Sequence, residues 1–85
     1  MKFEALVFVR LRPNVSDAAG NAVGANVPRV CDLNEVSKFR LGKAIDFHFE
    51  APDREHAERE LRKVSDQLFA NTVIEDWDNQ LKEVK

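Results

Sequence analysis

Cysteine occurs once in this 85-residue chain, at Cys31, so no internal disulfide framework can form and a reducing compartment is expected. One thiol and two histidines, at positions 31, 48 and 56, cannot build a closed four-ligand zinc site. No apolar run approaches the roughly 20 residues of a membrane span. Nor do the first residues read as a secretory signal, since strand-like Phe3-Glu4-Ala5-Leu6 begins almost at once. A cytoplasmic location with no membrane contact is the expectation. Also missing are a Gly-rich phosphate loop, a nucleophile elbow and a metal-ligating helix pair. A basic footprint is missing too: net charge is −2, with residues 1–43 at +3 and residues 44–85 at −5. Nucleic-acid binding draws much of its affinity from a concentrated positive field, so no nucleic-acid partner is expected.

What remains has the balance of a globular chain, 44% hydrophobic and 33% charged. Its length accommodates one domain over residues 1–85, with a radius of gyration expected near ~12 Å for a compact chain. A domain of this size buries only about 60% of its unfolded surface, so partner chains are a plausible source of further stability.

Residues 3–11 alternate with period two and predict a strand ended by Pro13. Leu6 and Phe8 make its second face apolar as well, which suits a central strand or one whose far face meets a partner; they are the candidate self-association residues. Asp17 or Ser16 can cap a following helix with a narrow apolar stripe, Ala19, Ala22, Val23, Val27, Val30 and Cys31. On this reading Cys31 is a small buried hydrophobe. Pro28 predicts that this helix breaks near Gly24, leaving residues 28–35 irregular. Apolar odd positions from Phe39 to Phe49, interrupted at Gly42-Lys43, predict a hairpin of strands 36–41 and 44–51. Pro52-Asp53 opens a second helix with a stripe of Ala57, Leu61, Val64, Leu68 and Phe69, which Asn71 can end. A last strand over residues 73–77 fades into a charged tail. The order βαββαβ gives, with right-handed crossovers, an α+β ferredoxin-like sandwich: a four-stranded antiparallel sheet, strands one and three central, both helices on one face.

Candidate chemistry is sparse. His48 lies on a polar strand face and His56 in a first helical turn, neither near a cysteine or serine at a meaningful spacing. No catalytic, metal-ligating or cofactor-binding residue is assigned. An RNA-recognition reading would use Phe47 and Phe49 as stacking platforms, but they share parity with Ile45 on the expected core face. A small-ligand regulatory module of the ACT type shares the element order, yet Arg12-Pro13-Asn14-Val15 lacks the glycine-rich loop usual after strand one. An independent binding module of either kind is the alternative to a complex-forming subunit.

Three segments carry a resemblance. Asp17-Ala18-Ala19-Gly20-Asn21-Ala22-Val23 looks like an Asp-Pro-x-Gly helix opening with a short Ala-Val segment. Phe39-Arg40-Leu41-Gly42-Lys43 looks like a Val-Arg-x-Gly-Lys hairpin, and residues 68–77 look like Leu-Leu-Ala-Asn-Pro-Val-Ile-Glu-Asp-aromatic. Together they resemble the PurS family, the small subunit of phosphoribosylformylglycinamidine synthase, over essentially the whole chain. Departures gather at the first helix: Ala18 replaces a proline, Pro28 intrudes, and the closing glycine is absent around Cys31-Asp32-Leu33; further on, Thr72 replaces another proline. The resemblance implies a non-catalytic subunit of a ligase complex of de novo purine biosynthesis. It implies as partners a PurQ-type glutaminase, a PurL-type synthetase and a second copy of the chain. ATP and glutamine are then used by the complex, and no cofactor is bound by this chain.

The expected topology also brings the end of strand one, at Arg10 and Arg12, near Arg40 and Lys43. Two readings of this basic corner stand: solvated strand ends that discourage edge pairing, or a docking patch for an acidic surface on a partner subunit.

Overall fold

The computed structural model describes residues 1–85. Its elements run β1 (Lys2–Leu11), α1 (Ala18–Cys31), β2 (Gly42–Glu50), α2 (Arg54–Val64), a π-helical turn (Ser65–Phe69) and β3 (Glu75–Val84). The sheet has three antiparallel strands in the order β2-β1-β3, not the four expected from the sequence. β1 is central: Val7 stands opposite Ile45 on one side and Asn79 on the other. Phe3, Ala5, Val7 and Val9 are fully buried, while Leu6 and Phe8 point to the face that carries no helix.

The missing strand is the segment before Gly42. Residues 32–41 contain no regular element. Lys38 adopts φ 61°, a left-handed conformation that ends extended pairing. Phe39 turns to α1 instead: a Cβ built on Gly24 would lie 2.8 Å from its ring, and one on Gly20 would lie 2.5 Å from its carbonyl oxygen. The alternation at Phe39 and Leu41 therefore does not continue the sheet. Leu41 is 45% exposed, and its amide is held by Asp17 Oδ2 at 2.9 Å.

α1 departs from expectation twice. It runs through Pro28 to Cys31, and irregular chain begins only at Asp32, whose φ of 54° forms a left-handed cap with its amide on the Pro28 carbonyl. A proline three residues from the end removes one ladder bond and leaves little helix beyond it to destabilise. The helix also does not cover the sheet. Its only buried residue is Gly20, no α1 residue joins the core, Val23 and Val30 are exposed, and so is Cys31. The molecule is accordingly extended, 50 × 30 × 15 Å with a radius of gyration of 16.5 Å, well above the value expected for a compact chain.

The core lies between the sheet and α2. Ala5, Val7 and Val9 pack with Leu61 and Ala70, and Phe3 packs with Ala51 and Ala57. Asp53 caps α2, accepting the His56 amide at 2.8 Å, and this bond is the main reason its carboxyl is held below its ordinary range. The π-helical turn corrects the second stripe. Ser65 is fully buried at ordinary helical spacing from Leu61; the π turn then inserts one residue into the repeat, so Phe69 and Ala70 take the next inward places and Leu68 swings out to 75% exposure. Phe69 then reaches the sheet, meeting Phe47 edge-on with ring centroids 5.7 Å apart. Phe47 and Phe49 thus belong to the core side, as their parity predicts.

β3 is twice the expected strand. It pairs with β1 from Leu11↔Glu75 to Lys2↔Val84, so the charged tail is ordered as an edge strand. Trp77 and Leu81 face α2, and alternate residues such as Gln80 and Lys82 face away. Residues 78–85 carry few strand-forming side chains, and ten backbone pairings with the central strand override that local preference.

Candidate functional site

A cleft of about 880 Å³ opens where β1 ends and β2 and β3 begin, beside α1. Its walls combine Phe8, Phe39 and Trp77 with Arg10, Lys38, Arg40 and Lys43, against Asp76 and Asp78. Four cations thus face two carboxylates in a chain whose net charge is −2. Gly42 is needed at its floor, since a Cβ there would meet the Arg10 side chain at 2.5 Å and the Val9 carbonyl oxygen at 2.6 Å.

Of the basic corner predicted from sequence, Arg10, Arg40 and Lys43 line this cleft and Arg12 does not, and the four differ in what they do. The Arg40 guanidinium donates to the carbonyls of Leu11 at 2.8 Å, Arg12 at 2.7 Å and Val15 at 3.2 Å. It clamps the turn after β1. Arg12 donates to the Thr72 carbonyl and brings Nε within 3.1 Å of Asp76 Oδ1, an ion pair without hydrogen-bond alignment. Arg10 and Lys43 remain exposed and make no ion pair. Lys38, absent from the predicted group, joins them. Sequence reasoning missed it because its position follows from the turn at Lys38 and the anchoring of Phe39, neither of which periodicity reveals.

Asp17 organises the α1 side of the cleft. Its carboxylate is buried, accepting the Gly20 amide at 2.8 Å and the Leu41 amide at 2.9 Å. Those two bonds, in that order, and the nearby Arg40 charge hold its carboxyl below the ordinary value. The predicted self-association residues Leu6 and Phe8 lie on the open sheet face, Leu6 between Asp46 and Gln80 and Phe8 between Ala44 and Asp78. Phe8 is 38% exposed and extends that face into the cleft. Around Glu4 the same face carries His48 at 3.9 Å and Lys82 at 3.8 Å. His56 sits away from the cleft, its Nδ1 2.9 Å from Asp53 Oδ1. The structure brings no nucleophile and base together among these groups, and no group of three or more His, Cys, Asp and Glu is arranged to hold a metal.

The family model described as PurS, phosphoribosylformylglycinamidine (FGAM) synthase, matches residues 4–83. The chain belongs to the PurS family. A Synechocystis phosphoribosylformylglycinamidine synthase subunit PurS is 41% identical over 75 residues, covering 88% of this chain and 74% of that protein. The Bacillus subtilis subunit PurS is 33% identical over 82 residues, covering 96% and 95%. Among solved structures, a chain of PurLQS from Thermotoga maritima superposes with a TM-score of 0.88 at 29% identity, covering 96% of this chain and 99% of that one. PurS membership therefore extends over the sheet, both helices and the cleft, and is not confined to one motif.

Proposed function

We propose that this chain is the non-catalytic bridging subunit of its phosphoribosylformylglycinamidine synthase, working in the cytoplasm. It joins a PurQ-type glutaminase to a PurL-type ATP-dependent synthetase and helps hold the path by which ammonia passes between them. The complex converts formylglycinamide ribonucleotide, ATP and glutamine to the formylglycinamidine ribonucleotide, and the ATP and glutamine sites lie on the larger subunits. The observation that carries this reading is the near-complete likeness to a chain of the Thermotoga maritima PurLQS structure. The molecule's own form supports it. With 11 of 85 residues buried and α1 standing off the sheet, much of its apolar surface is left for other chains.

Self-association belongs to the same proposal. Leu6 and Phe8 on the open face, together with the exposed Val23 and Val30 of α1, supply apolar surface for at least a homodimer. Light scattering over a concentration range is expected to give a mass above that of the monomer. A concentration-independent monomer overturns that part.

The function is tested by reconstitution. Alone, the chain is expected neither to hydrolyse glutamine nor to consume ATP. Added to the glutaminase and synthetase chains of the same organism, it is expected to restore glutamine-dependent ligation. Glutamine hydrolysis by the purified chain, or full glutamine-dependent activity without it, overturns the reading.

A further inference from the structure

Arg10, Lys38 and Lys43 reach the strand-end cleft from three places: the end of β1, the segment before β2 and the start of β2. None of them makes an ion pair within the chain. The acids of the same cleft already have partners. Asp76 lies 3.1 Å from Arg12 Nε, and Asp78 accepts the Asn79 amide at 2.8 Å. With Arg40 counted, four cations against two carboxylates leave the lining a formal +2. Solvation at a strand end accounts for Arg10 and Lys43 but not for Lys38. Its φ of 61° is a left-handed conformation that is costly for lysine, and strain of this kind gathers at ligand clamps. The next residue, Phe39, is seated on α1, where Gly24 leaves room for its ring. That half-buried ring lines the cleft together with the cations.

We infer that this cleft binds a nucleoside 5′-monophosphate. The phosphate meets Arg10, Lys38 and Lys43, and the base lies on the ring of Phe39. Asp76 and Asp78 are the acceptors within the cleft for ribose hydroxyls. Charge, size and shape choose this ligand. A phosphate monoester carries close to two negative charges at neutral pH, which the +2 lining matches. A volume of about 880 Å³ lies within the range of small-molecule sites. A planar base covers the aromatic wall, which a sugar phosphate or a bare anion would leave in water. Arg10, Lys38, Phe39 and Lys43 are separate from the self-association surface at Leu6, Phe8, Val23 and Val30, and binding needs neither larger subunit.

The test is equilibrium dialysis of the purified 85-residue chain against adenosine 5′-monophosphate. Fluorescence of Trp77, the one tryptophan and a lining residue of the cleft, gives a second readout. Adenosine, ribose 5-phosphate and inorganic phosphate are each expected to bind at least about tenfold more weakly than the nucleotide. Arg10→Gln/Lys38→Asn/Lys43→Gln is expected to bind the nucleotide at least about tenfold more weakly, asparagine being chosen because it tolerates left-handed backbone. Arg59→Gln/Arg62→Gln/Lys63→Gln, which removes equal charge from α2, is expected to match the wild type. Absence of nucleotide binding by the wild type overturns the inference. So does equal weakening of both variants, or of neither. Ribose 5-phosphate or inorganic phosphate binding as tightly as the nucleotide leaves Phe39 without a role and also overturns it. A hexaglutamate peptide that displaces the nucleotide and binds more tightly makes the cleft a surface for acidic protein instead. Should circular dichroism show the cleft triple variant unfolded, Lys43→Gln decides, because nucleotide affinity equal to the wild type in that variant rejects the site.

Discussion

Asp17 accepts the backbone amide of Leu41 at 2.9 Å, joining the start of α1 to the chain that enters β2. The same carboxylate caps α1 through the Gly20 amide. One side chain therefore positions both walls of the cleft on its α1 side, although α1 contributes nothing to the core. Stability and the shape of the cleft meet at this residue.

Asp17→Ala is expected to lower the melting temperature and loosen residues 38–41, detected as faster amide exchange at Leu41. The pH dependence has a definite sign. Because the folded pKa lies below the ordinary 3.8, the contribution is complete above that value and is lost as pH falls through the lower folded value. The wild type should lose stability over that acid range more steeply than Asp17→Asn, as read by thermal melts at successive pH values.

Arg40→Lys is expected to destabilise the fold by about 2 kcal/mol in chemical denaturation, since an ammonium cannot reproduce a planar fork serving three carbonyls. A stability equal to the wild type would show that this clamp contributes nothing.

Gly20→Ala tests the close approach of α1 and Phe39. Alanine favours a helix over glycine by about 1 kcal/mol. Here the new methyl would meet the Phe39 carbonyl oxygen at 2.5 Å, and backbone cannot yield as a flexible side chain does. Net destabilisation is expected, with a shift in the amide signals of residues 38–41. A stabilised variant would contradict the packing.

Ser65→Ala goes the other way. The Ser65 hydroxyl is fully buried and has no hydrogen-bond partner. Removing it is expected to leave stability unchanged or raise it by up to about 1 kcal/mol, measured as a higher denaturation midpoint at unchanged slope.

Much of the sheet was legible because period-two alternation has one physical outcome when a face is buried. Phe3, Ala5, Val7 and Val9 had to share a face, and the apolar second face at Leu6 and Phe8 suited a central strand, which β1 is, or one whose far face meets a partner. The same rule placed Phe47 and Phe49 beneath α2 and removed the stacking surface an RNA-binding reading needs. At Phe39 and Leu41 the pattern was equally regular and misleading. Alternation states which residues share a side of an extended segment, but not whether a neighbouring strand exists to pair with it.

By itself, the sequence determined the family, the first strand and the opening of the second helix at Pro52-Asp53, because each rests on residues close in the chain or on a simple repeat. Only the tertiary structure decided that α1 stands away from the sheet, that the segment before Gly42 packs on α1 instead of forming a fourth strand, and that a π-helical turn puts Phe69 and Ala70 against the core in place of Leu68. It also divided the basic corner, committing Arg40 and Arg12 to the fold and leaving Arg10, Lys38 and Lys43 unpaired. These outcomes depend on contacts between residues far apart in sequence, such as Asp17 with Leu41 and Arg12 with Asp76. Their energies come from geometry that no local pattern encodes.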